Sequence, residues 1–115
     1  MAHLIEVEVV DFFNTELKPI KVMLNIDSIQ YAEAMYQRHL EMYAQSCKSL
    51  EEYNLEMVEK GTPQDCKKYL PVKNVPKNCT VVTLRQGQLW IVWPYDRFVA
   101  ASMELQEKLN FRHMA

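Results

Sequence analysis

From Asp27 to Lys60 the chain contains neither glycine nor proline, and this uninterrupted run constrains the fold more than any other feature. Asn25-Ile26-Asp27-Ser28 precedes it as a helix start signal. Asp27 can accept from the free amides of a first turn, and Gln30 stands three residues on, as in a capping box. Ile29, Tyr36, Tyr43, Leu50 and Met57 recur every seven residues. The companion seam has Leu40 and Cys47 but is broken by Glu33 and Asn54, whereas a coiled coil needs both seams apolar. The expectation is a long amphipathic helix packing on a sheet, with Ser46 to Ser49 as a point where it can break. Gly61 follows as its C-terminal stop.

The flanking segments read as strands. In Leu4 to Val10, Ile5, Val7 and Val9 alternate with Glu6 and Glu8, the pattern of a half-buried strand. Ile20 to Leu24 supplies an antiparallel partner across the loop Asn14 to Pro19. Thr62-Pro63-Gln64-Asp65 opens a short helix with proline at its first position, and Val72 to Asn78 is an extended connector. Cys79 to Leu84 and Gln88 to Trp93 form a hairpin around Arg85-Gln86-Gly87. Pro94 ends it, and Asp96 caps a last helix in which Phe98, Ser102, Leu105 and Leu109 share a face. The expected fold is α+β: a mainly antiparallel sheet of about four strands, with the long helix and the C-terminal helix packed on one face. The order is ββααββα, in one domain over residues 1–115.

Composition narrows the function. The net charge is −2, with 13 basic against 15 acidic residues, which disfavours a general polyanion binder. Lys67, Lys68, Lys73 and Lys77 still cluster, as a solvated loop or as a local basic face. Cys47, Cys66 and Cys79 lack CxxC spacing, so neither a disulfide framework nor a zinc site is expected, and reduced thiols suit an intracellular protein, cytoplasmic or nuclear. No basic-then-apolar leader and no run of about twenty apolar residues occurs, so no membrane span is expected. Asn78-Cys79-Thr80 matches a glycosylation pattern that would matter only in a secreted protein.

Catalytic patterns are lacking. His3 and His113 lie in terminal segments, His39 lies in the helical run, and no HxxxH or HExxH spacing joins two of them. No GxSxG occurs, and Glu51-Glu52 and Glu56-Glu59 read as solvated helix charge. The chain is therefore expected to be no enzyme and to need no cofactor or metal. Binding features are richer. Gln88 to Tyr95 holds Trp90, Trp93 and Tyr95, with the two tryptophans on opposite faces of a strand. These three, with Tyr36 and Tyr43 of the helical run, are the candidate partner-binding residues, against the reading in which they fill the core.

Taken together, Val7-Glu8-Val9-Val10 with Ile20-Lys21-Val22-Met23-Leu24, then Tyr31 to Tyr43, then Cys79-Thr80-Val81-Val82 with Gln88-Leu89-Trp90 resembles a degenerate extended Tudor domain of germline RNA-silencing scaffolds. The resemblance spans most of the chain and implies a scaffold or partner-binding role. The tyrosine-aspartate-tyrosine-glycine-asparagine type segment that helps cage methylated arginine is not matched, so that recognition is not carried over. Two functions stand. One is a protein-interaction or self-association domain whose partner is another protein or a second copy. The other is a small single-stranded RNA-binding module stacking bases on Trp90, Trp93 or Tyr95 beside the connector lysines.

Overall fold

A computed structural model describes residues 3–114, with side chains described as far as Gln106. The chain forms two compact units, one from residues 1–10, 19–35 and 76–115, the other from 11–18 and 36–75.

The first unit is a five-stranded antiparallel sheet: β1 (Leu4–Val9), β2 (Ile20–Asn25), β3 (Ile29–Ala34), β4 (Thr80–Leu84) and β5 (Gly87–Ile91), in the order β2-β1-β5-β4-β3. Valine and isoleucine alternate through it and set the register. Val7 faces Val22, Ile5 faces Leu24, and Val82 faces Leu89. One side of the sheet thereby collects Val7, Val9, Leu24, Val82 and Ile91 as a buried core, which Phe98 of the final helix α2 (Tyr95–Met114) joins.

The two edge strands, β2 and β3, are consecutive in the chain and joined only by the single 3-10 turn Ile26–Ser28. Five strands laid flat would hold those edges roughly 19 Å apart, whereas a 3-10 turn advances only about 2 Å per residue. The sheet must therefore coil until the end of β2 meets the start of β3. Its register supplies the stagger that coiling requires: β1 meets β5 only at its far end, where Val9 faces Ile91, so the β1–β2 hairpin is displaced lengthwise.

Several expectations need correction, among them the long helix packed on the sheet with the C-terminal one: the helix Gln37–Glu59 belongs to the second unit. The sheet has five strands and not four, because Ile29–Ala34 is a strand and not the first turns of the long helix. A cap is formed, but by Asn25 and not by Asp27, whose carboxylate pairs with His3, and it is used up in one turn. Asn25 Oδ1 accepts from the Asp27 amide at 3.0 Å, and Ser28 Oγ donates to the Asn25 carbonyl at 2.7 Å. Beyond that turn, β3 satisfies its backbone by pairing with β4, from Ile29 opposite Leu84 to Ala34 opposite Thr80, and this non-local pairing outweighs helix propensity. Ile29 and Ala32 pack against the core. The short helix and the connector are likewise tighter than expected, each holding one 3-10 turn, at Pro63–Asp65 and at Val72–Asn74.

The second unit is built on α1, Gln37–Glu59, which runs without a break through Ser46 and Ser49. A return segment lies along it. Asn54 clamps Lys67, its Oδ1 accepting from the Lys67 amide at 2.8 Å and its Nδ2 donating to the Lys67 carbonyl at 2.9 Å. The helix stops where the sequence places the stop. The Gly61 amide donates to the Val58 carbonyl at 3.1 Å and the Thr62 amide to the Met57 carbonyl at 2.9 Å, the paired bonds of a Schellman cap. Gly61 takes φ +77°, a conformation that costs a side-chain-bearing residue about 1–2 kcal/mol. No atom would meet an added Cβ there. Gly61→Ala is accordingly expected to cost about 1–2 kcal/mol through backbone strain alone, measured as a shift in the urea midpoint.

Candidate interaction surface

The five aromatic candidates are placed by different elements and do different things. Trp90 is buried. It projects from the face of β5 opposite to that of Ile91, across from Val81. Trp93 lies just past β5 on the core side, half-buried against the core cluster, with the Arg97 guanidinium 4.3 Å from its ring centroid. Its carbonyl accepts from Thr80 Oγ1 at 2.9 Å. The two tryptophans do not share a strand, since β5 ends at Ile91 and Trp93 follows it. Tyr95 is exposed at the first position of α2.

Tyr36 and Tyr43 belong to the second unit. Tyr36 caps α1 and is exposed, with Arg38 5.3 Å from its ring centroid. Its backbone amide donates to His39 Nδ1 at 2.8 Å, and the two rings stack with centroids 5.9 Å apart. His39 therefore takes the place that Glu or Gln holds in an ordinary capping box, a role that its position three residues after Tyr36 could have signalled. Tyr43 is half-buried. Its hydroxyl donates to the Leu70 carbonyl at 2.6 Å and its ring lies 4.7 Å from that of Phe12. Burial first, and then the neighbouring Cys47, raise the Tyr43 hydroxyl well above the usual tyrosine range. It is a structural hydrogen-bond donor.

The thiols are all free, with Cys47 and Cys79 buried and Cys66 half-buried. Burial pushes the Cys79 thiol from 9.0 up to about 11. An unfolded chain gives up this proton before the folded one does, so the contribution is fully present below pH 9.0 and is lost as pH rises towards about 11. Tyr43 acts in the same direction at higher pH. Urea midpoints measured across that window are expected to fall, and Cys79→Ala is expected to flatten the fall.

The surface the aromatic pattern did not indicate is the β1–β2 hairpin. Its outer face carries Leu4, Glu6 and Glu8 on β1 against Asn25, Met23 and Lys21 on β2. Leu4 and Met23 occupy polar-face positions and are 48% and 58% exposed, and Ile20, ending the inner row, is 46% exposed. A sequence signal existed: both residues break the alternation at positions where a charge or amide would be ordinary.

A separate cleft of about 420 Å³ lies at the rim of the sheet, lined by Asp27, Ser28, Ile29, Gln30, Arg85 and Gln86. His3 Nδ1 stands 2.9 Å from Asp27 Oδ1 beside it. The lining offers hydrogen bonds and one charge of each sign, and its hydroxyl, Ser28 Oγ, donates to the Asn25 carbonyl. Among the described residues no cluster of three His, Cys, Asp or Glu side chains is placed to hold a metal, and no helix is long and apolar enough to cross a membrane. Comparison with family models, curated proteins and solved structures finds no match to this chain.

Proposed function

We propose that this chain is a non-catalytic protein-interaction domain that works by self-association, in the manner of a scaffold or adaptor. The observation that carries this reading is the β1–β2 hairpin, whose outer face holds Leu4 and Met23 in water, with Ile20 exposed on the inner face at the other end of the same pair of strands. Exposed apolar groups gathered on one rigid element mark contact sites more often than scattered ones do. A coiled antiparallel sheet of five strands is also a suitable frame for the Tudor-like version of this reading. A methylarginine cage draws no support from the aromatic residues, since Trp90 is buried and Trp93 already carries Arg97 on its ring. The same two facts weigh against the RNA-binding alternative, which needs open ring faces for bases to stack on.

The test is a concentration series of amide NMR spectra. Self-association through this surface predicts concentration-dependent shifts at Leu4, Ile20, Met23 and their neighbours. Spectra that stay invariant with concentration would refute the reading, and shifts confined to residues 36–75 would move the contact to the other unit.

A further inference from the structure

We infer that the partner is a second copy of this chain, added edge to edge along β2 as an antiparallel strand; the inference rests on the self-association reading above. β2 ends the sheet and pairs only with β1. The Ile26 amide donates to the His3 carbonyl at 2.9 Å, which fixes the phase of the ladder. In an antiparallel pair, alternate residues exchange bonds with the neighbour strand and those between point away from it. Ile20, Val22 and Leu24 therefore turn their backbone groups to β1, and Lys21, Met23 and Asn25 turn theirs outward. Among the described residues the outward groups of Lys21 and Met23 have no backbone partner, while the Asn25 carbonyl is already taken up by the 3-10 turn and by Ser28 Oγ.

The two edges of the sheet are not equivalent. β3 has a register shift between Ile29 and Tyr31, the kind of bulge that blunts an edge. β2 runs regularly through all six of its pairs with β1 and carries one charge, Lys21. Two such strands laid antiparallel and centred on Met23 match on both faces. Met23 meets Met23 of the second copy, Lys21 meets Asn25, and Val22 meets Leu24. Apolar inner positions thereby face apolar ones, and the single lysine never faces its equivalent. The outward residues Lys21, Met23 and Asn25 fall in the hydrogen-bonded positions, so the two Met23 residues exchange both bonds at the centre and the Asn25 amide, whose carbonyl is held by Ser28, donates to Lys21 on either side.

Two variants test this. Met23→Pro removes an amide that β1 does not use, a place where an edge strand tolerates proline. It is expected to keep the urea midpoint of the native fold and to weaken self-association roughly a hundredfold, since both copies lose a hydrogen bond at the centre of the pairing. Met23→Cys brings two thiols opposite one another at a Cα separation of about 5.5 Å, within disulfide range. It is expected to form a disulfide-linked dimer on mild oxidation, whereas Lys21→Cys, displaced along the strand from its equivalent, is not. A wild-type dimer that persists in Met23→Pro, with no Met23→Cys cross-link, would overturn the β2 pairing and leave self-association standing. A wild-type monomer at every concentration would remove both, and would leave the edge for a strand from a different protein.

Discussion

Phe98→Ala is expected to destabilise the sheet unit by about 3–5 kcal/mol, the range for emptying a buried phenylalanine site. Among the described side chains of α2, Phe98 is the one fully buried, and it alone from this helix enters the core cluster with Val7, Val9, Leu24, Val82 and Ile91. These neighbours are β-branched or branched residues held on paired strands, so they have little freedom to collapse into the space the ring leaves. Urea unfolding followed by tryptophan fluorescence reads this unit directly, because Trp90 and Trp93 both belong to it. A loss under about 1 kcal/mol would show that the helix does not close the core.

The second large effect is expected at Leu70, where replacement by alanine costs about 2–5 kcal/mol. Leu70 is fully buried in the other unit, and its backbone is tied down on both sides. Its amide donates to the Phe12 carbonyl at 3.0 Å, and its carbonyl accepts from the Tyr43 hydroxyl at 2.6 Å and from Cys47 Sγ at 3.8 Å. The return segment thus cannot slide to fill a void beneath it. Far-ultraviolet circular dichroism follows α1 together with α2, and comparison with tryptophan fluorescence, which reports the sheet unit, isolates the loss of α1. Tyr43→Phe keeps the ring and removes the hydroxyl, with its bond to that carbonyl and its interaction with Cys47, so its expected cost is smaller, about 1–2 kcal/mol. Equal costs for the two variants would assign the effect to the hydrogen bond and not to the leucine side chain.

Much of the sheet is legible in the residues themselves. The alternation in Leu4–Val9, Ile20–Asn25, Thr80–Leu84 and Gly87–Ile91 sets four strands and their inward faces, and Gly61 marks the end of the long helix. The fifth strand is not legible in the same way. Gln30, Ala32, Glu33 and Ala34 are good helix formers behind a genuine Asn25 cap, and only the pairing with β4, far along the chain, turns them into an edge. The heptad from Ile29 to Met57 therefore joins a strand residue and a capping residue, Tyr36, to a helix that begins at Gln37.

The candidate surface divides similarly. Aromatic content pointed to Trp90 and Trp93, but large rings are also the best core fillers, and nothing local distinguishes the two uses. Met23 and Leu4 were the more telling residues, because an apolar side chain at a polar-face position has no core to serve. Tyr43, a candidate for contact, spends its hydroxyl on the Leu70 carbonyl, a contact across 27 positions of chain that no spacing rule anticipates.

Self-association of this domain is tested most directly by sedimentation equilibrium of the wild-type chain over a wide concentration range. A reversible approach to twice the monomer mass of 13.6 kDa is expected as concentration rises. A mass that stays at the monomer value throughout would contradict it.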